Sequence, residues 1–161
     1  MQTFEVVQKL LSFGPSYEIR PTGQTDVAMT VRGKVLTMTP KLTMVAGADG
    51  APVAELTANF MKTKFVVMGT DGKEKGTLQF PLLQFKKSFT ITVDGHDFKA
   101  DGGFFGGEFK CVDAQGNPVL VIAKQLSLRD KFAVTTNGTL PEEVALLSAV
   151  AIDQKFFQEE A

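Results

Sequence analysis

Between residues 140 and 157 the chain reads Leu-Pro-Glu-Glu-Val-Ala-Leu-Leu-Ser-Ala-Val-Ala-Ile-Asp-Gln-Lys-Phe-Phe, and from Val144 to Ile152 the only polar residue is Ser148. As a helix, such a run has no solvent face and has to be buried all round, in protein or in lipid. Its apolar part rises roughly 14 Å, well short of the about 20 residues that cross a bilayer. The sequence therefore predicts a helix wrapped by the rest of its own chain. Thr139 is placed to cap it, with Glu142 closing a capping box, and Pro141 is tolerated in a first turn. Glu142 and Glu143 stand at the positive end of the helix dipole and Lys155 near the other. Val144, Leu147, Val150, Ala151 and Ile152 form the structural body of this helix. Asp153 interrupts it. A buried carboxyl needs a partner; Arg129 or backbone amides are the candidates, and Asp153 is expected to be a structural latch. A catalytic role would require a second acid or base that the sequence does not identify.

The remainder of the chain alternates short strands and turns. Thr22-Gly23, Asp49-Gly50, Asp71-Gly72, Asp94-Gly95 and Gln115-Gly116 mark hairpin turns, and the last four glycines are separated by 22, 23 and 21 residues. Glycine supplies the positive φ such turns require. Between them recurs a second signal, often a basic residue, two apolar residues and a Ser or Thr. It reads Lys9-Leu10-Leu11-Ser12, Lys34-Val35-Leu36-Thr37 and Lys124-Gln125-Leu126-Ser127. Weaker copies are Phe60-Met61-Lys62-Thr63, Leu82-Leu83-Gln84-Phe85 and Gly103-Phe104-Phe105-Gly106. Each unit of about 22 residues thus holds two strands around a bend, and six units give about 12 strands. Residues 26–31, 41–45, 65–68 and 89–93 alternate as strands do; Val119-Leu120-Val121-Ile122 is apolar on both faces and reads as a central strand. Phe4 to Leu11 is ambiguous, and the repeat favours strand.

A meander of this length exposes edges unless it closes. Eight strands already make a barrel that side chains fill; 12 leave a wider lumen, and a helix about 10 Å across would plug it. The expected fold is mainly β, a closed antiparallel barrel of about 12 strands around a central apolar C-terminal helix. With 161 residues and no Pro-, Ser- or Gly-rich linker, residues 1–161 read as one domain.

Net charge is −1. No global positive field exists to drive nucleic-acid binding, so no nucleic-acid partner is expected and any anion site must be a local patch. A lone cysteine, Cys111, fits a reducing compartment. The absence of a signal peptide or transmembrane segment agrees with a cytoplasmic location.

Few residues offer chemistry. His96, in a predicted turn beside Asp94 and Asp97, has no second histidine to share a metal, and a solvated hairpin tip is the expected state. Cys111 lacks a Cys-x-x-Cys partner and is expected to be a buried small residue rather than a nucleophile. The Gly102-Gly103-Phe104-Phe105-Gly106-Gly107 run precedes no helix, so a phosphate cradle is disfavoured. Barrel-corner kinks, or close approach to the central helix, are the expected roles. No catalytic residue, metal site or cofactor is predicted. Lys86 and Lys87, with Lys62 and Lys64 at the equivalent place of a neighbouring repeat and Phe85 and Phe89 nearby, could form one basic patch suited to an anionic lipid head group. Solvated strand ends are the alternative, since lysines on barrel edges also discourage aggregation.

Several of these stretches resemble the LURP-one-related family of the tubby C-terminal-like superfamily, which includes the phospholipid scramblases. They are Lys9 to Gly14, Val31-Arg32-Gly33-Lys34, Lys124 to Phe132 and the closing Ala149-Val150-Ala151-Ile152-Asp153-Gln154. The resemblance covers nearly the whole chain. It implies a closed barrel of 12 strands around a C-terminal helix. Plant members are linked to defence, and tubby domains bind phosphoinositide head groups through a lysine and arginine pair that does not map onto particular residues here. Scramblases carry a palmitoylated cysteine-rich segment that this sequence lacks, so scramblase activity is not expected. The functional expectation is a non-enzymatic module that recognises anionic phospholipid at a membrane surface. The alternative is a scaffold binding small molecules or proteins on the barrel loops.

Overall fold

Alternation of apolar and polar residues turns one face of each strand inward, and the chain does this in one continuous meander. The structure, a computed structural model, describes residues 1–11, 14–33, 39–82, 87–102, 107–125 and 131–157. The strands are β1 (Gln2–Leu11), β2 (Gly14–Pro21), β3 (Met29–Gly33), β4 (Lys41–Ala46), β5 (Pro52–Ala58) and β6 (Lys64–Gly69). They continue as β7 (Glu74–Gln79), β8 (Ser88–Val93), β9 (His96–Asp101), β10 (Glu108–Val112), β11 (Pro118–Lys124) and β12 (Lys131–Thr136). Each pairs antiparallel with its neighbours in sequence, and β1 pairs with β12, from Gln2 opposite Thr136 to Val7 opposite Lys131, to close the barrel. Closure leaves no edge strand to aggregate. It also means that no strand is more central than another, so the expectation for residues 119–122 does not apply. The first segment is a strand, as the repeat indicated, and β3 starts at Met29, three residues later than its sequence pattern suggested.

Inside lies α1 (Glu142–Ile152), followed by a π-helical turn over Asp153–Phe157. Every residue from Val144 to Ile152 is buried, against β1, β5, β6, β7 and β12. The one hydroxyl in this run is satisfied within the helix: Ser148 Oγ donates to the Val144 carbonyl at 2.6 Å. At Gly76 of β7 a Cβ would stand 3.2 Å from Val144 Cγ2, so the small residue lets the helix approach the wall.

Two local expectations are corrected. Thr139 does not cap α1: the N-cap position is Pro141, no side chain caps it, and the Thr139 amide instead donates to Asn137 Oδ1 at 2.9 Å. The negative first turn of Glu142 and Glu143 is what remains of the start signal. In the β4–β5 turn the positive φ belongs to Gly47 rather than Gly50. Gly50 is needed for another reason: its Cβ would meet the Ala46 carbonyl oxygen at 2.4 Å.

On the outer wall Glu18 of β2 accepts from Arg20 at 2.7 Å and pairs with Lys9 at 3.1 Å. Partial burial alone would raise its carboxyl, but the hydrogen bonds and charges of Lys9 and Arg20 outweigh it and hold it below the ordinary 4.5. The stability it contributes is therefore complete above that ordinary value and fades as pH falls through the lower folded one. An NMR titration should find the Glu18 midpoint depressed in the native chain and moved upward in Arg20→Gln; equal midpoints would refute the pairing.

Candidate functional site

Because consecutive strands are antiparallel, successive connections fall at alternate ends of the barrel. The glycine turns and the start of α1 share one end; the bends after β1, β3, β5, β7, β9 and β11 share the other, where the helix emerges. The two signals of the sequence repeat are therefore two faces of the molecule. The glycine end carries Asp26, Asp49, Asp71, Asp94, Asp113, Glu142 and Glu143, together with Lys73. The helix-exit end carries Lys41, Lys62, Lys64, Lys87, Lys124 and Lys155, with Asp101 and Glu108 as its carboxylates among the described residues. Among the described residues, carboxylates thus predominate at the glycine end and lysines at the exit end.

The exit end is sealed by phenylalanines. Phe156 of the π-helical turn stacks on Phe109 at 5.9 Å and meets Phe80 edge-on at 5.5 Å, and Phe157 lies 6.0 Å from Phe132. The Lys87 and Lys124 ammonium groups lie 4.7 and 3.9 Å from the centre of the Phe157 ring. Lys62, held in a left-handed conformation at φ 54°, donates from Nζ to the Gln154 carbonyl at 3.0 Å and so covers an orphan acceptor at the helix C-terminus. Lys155 reaches the Met61 carbonyl at 3.4 Å.

The β5–β6 bend that supplies Lys62 is locally rigid. Asn59 Oδ1 accepts from the Thr63 and Lys64 amides at 2.8 and 3.2 Å, and Asn59 Nδ2 donates to Thr63 Oγ1 at 2.7 Å. This turn holds Phe60 and Met61 outward, 61% and 56% exposed, and Leu82 in the next bend is 63% exposed. Three of the exposed large apolar residues among the described ones therefore lie at the basic end, with Met1 at the other.

Of the lysines singled out from the sequence, Lys62 and Lys87 meet at this end through the helix terminus. Lys64 faces outward at the start of β6 and lines a cleft on the barrel wall. Lys86, Phe85 and Arg129 lie outside the described residues, as do Gly103 to Gly106. Phe89 is buried in the wall. At Asp153 the contact among the described residues is with Tyr17 of β2, whose hydroxyl donates to Oδ2 at 2.6 Å and accepts from Gln154 Nε2 at 2.9 Å. His96 is exposed at the β8–β9 turn, and no cluster of metal-ligating side chains occurs among the described residues. Cys111 faces the interior, and burial pushes its thiol up to about 12, which keeps it protonated and inert at neutral pH. Of the glycine run only Gly102 and Gly107 are described, and a Cβ at Gly102 would meet the Phe109 ring at 2.6 Å. Lys124, Lys155, Phe60, Met61 and Leu82 are the exit-end residues that sequence reasoning missed. Lys124, Phe60, Met61 and Leu82 all sit in copies of the second repeat signal, which marked their shared end.

The family model described as LURP-one-related matches residues 2–153, the full barrel and α1. The chain belongs to the LURP-one-related family. Among solved structures, an X-ray structure of an Arabidopsis thaliana protein superposes with a TM-score of 0.59 at 12% identity, over 93% of this chain and 88% of that one. At that identity the likeness is one of fold, and it is the tubby-like barrel that the resemblance implied. Comparison with curated proteins gives no match. No helix of this LURP-one-related chain is long and apolar enough, among the described residues, to cross a membrane.

Proposed function

We propose that this LURP-one-related chain is a non-enzymatic binding module that docks its helix-exit end on membranes rich in anionic phospholipid head groups, as a cytoplasmic protein peripheral at the membrane. The observation that carries the reading is the coincidence, at one end, of exposed Phe60, Met61 and Leu82 with the lysines that surround the helix terminus. Apolar side chains insert shallowly at a lipid interface, and lysines beside them gain about 1 kcal/mol each from an anionic surface. The acidic glycine end would be turned to water. The non-enzymatic half of the proposal is supported by the placement of the two reactive side chains, His96 on an exposed tip and Cys111 inside the barrel.

Vesicle flotation tests the reading. The chain should float with phosphatidylcholine vesicles containing phosphatidylserine at low salt, and with phosphatidylcholine alone it should stay in solution. Lys87→Gln with Lys124→Gln should weaken binding roughly thirtyfold, from about 1 kcal/mol per lysine. Phe60→Ser with Met61→Ser should weaken it even where the charge is unchanged. Equal flotation with neutral and anionic vesicles, or none at low salt, would overturn it.

A further inference from the structure

The outer wall holds a second feature beside the exit end, with which it shares Lys64, Phe80 and Asp101. The ladder between β7 and β8 is short, joining Thr77–Gln79 to Thr90–Thr92. Beyond it the two strands part. Phe80 turns toward β6, its amide donating to the Thr63 carbonyl at 2.8 Å, and Gly102 ties to the Lys87 carbonyl at 2.8 Å on the other side. Between them opens a cleft of about 920 Å³, lined by Phe80, Phe89 and Ala100, core residues each 3% exposed. That volume lies in the range of small-molecule sites, which are mostly apolar with a few placed polar groups.

Its charged groups are mostly cations. Lys64, Lys99 and Lys110 line the cleft against one carboxylate, Asp101. No ion pair among the described residues involves any of the three lysines. Lys110 stands opposite Asp101, and Lys99 opposite Val112, so the two lysines are diagonal neighbours across β9 and β10. Diagonal positions are about 7–8 Å apart, within reach of one anionic group held between two lysine arms. Lys64 connects through Gln79 and Thr90 to Lys99, three strand spacings away, or about 14 Å. The Phe80 and Phe89 rings, stacked at 5.0 Å, lie between.

We propose that this cleft binds a small amphiphilic anion, its acidic head bridging Lys99 and Lys110 and its apolar body lying on Phe80 and Phe89. The head is a phosphate monoester or carboxylate; a cation of the same size is rejected by the lysines, and a bare phosphate gains nothing from the apolar floor.

Isothermal titration tests this with octyl phosphate below its micelle concentration, inorganic phosphate and octylamine. Octyl phosphate should bind at one site, at least tenfold more tightly than inorganic phosphate, and octylamine should not bind. Lys99→Gln with Lys110→Gln, both on the exposed wall, should cut octyl phosphate affinity at least tenfold without moving the melting temperature, and Lys99→Arg with Lys110→Arg should largely restore it. Phe60→Ser with Met61→Ser should leave it unchanged, which separates this site from the membrane reading. Binding of octylamine as tightly as octyl phosphate, an unchanged affinity in the double glutamine variant, or head-group binding seen only on vesicles would each overturn the proposal.

Discussion

A chain ending at Thr139 will not fold. It loses α1, whose Val144, Leu146, Leu147, Val150 and Ile152 are all fully buried. Full burial of such a side chain stabilises by about 1.5–3 kcal/mol, so these five alone account for roughly 8–15 kcal/mol, the size of a domain's whole net stability. The loss is larger than that sum, because the inward faces of the strands would then line a hollow open to water. The truncated product should be insoluble, or soluble without a cooperative urea transition by circular dichroism. A soluble, cooperatively folding truncation would show that the strands close on their own.

Tyr17→Phe should lower stability by about 2–3 kcal/mol. The Asp153 carboxyl is wholly buried and accepts from the Tyr17 hydroxyl at 2.6 Å, and that hydroxyl in turn accepts from the buried Gln154 amide. Deleting the hydroxyl removes one buried hydrogen bond from the carboxyl and one from the amide, each worth about 0.5–1.5 kcal/mol, or more where a charged group is involved. For a chain of this length the melting temperature should fall by roughly 5–10 °C. A double-mutant cycle with Asp153→Leu distinguishes a latch from mere packing: the combined variant should be markedly less destabilised than the sum of the two singles, because both singles remove the same contact. Additive losses would mean that the contact holds nothing. Since Tyr17 belongs to β2 and Asp153 follows α1, this bond ties the wall to the plug where the helix widens into its π-helical turn. That turn aims Phe156 and Phe157 into the phenylalanine layer at the exit.

Much of the architecture was legible because two periodicities were loud. A run from Val144 to Ile152 with a single hydroxyl admits only complete enclosure, and strand pairs recurring at about 22 residues admit few ways to close around it. The repeat also recorded which bends share an end, although the polarity this creates emerges only when antiparallel pairing sorts the bends into two groups. Capping was misread at Thr139 because the Leu140 side chain, 2% exposed, is drawn into the core and the helix starts after Pro141. A local capping signal of about 1 kcal/mol yields to burial worth more.

The lysines divide for the same reason. Sequence spacing put Lys62 and Lys64 together, yet strand alternation and a left-handed bend send one to the helix terminus and the other to the outer cleft. The contact between Tyr17 and Asp153 was equally out of reach: the two lie 136 residues apart, and no pattern links them.

What the amino-acid order determined by itself is the enclosure of a greasy helix by a closed meander, since hydrophobic periodicity is a local property that burial must satisfy in any packing. Where the barrel wall parts into a cleft, which cations gather at the helix exit, and which hydroxyl meets the buried carboxyl were decided only in three dimensions. Those outcomes depend on register and on loop geometry, which bring together residues that the sequence holds far apart.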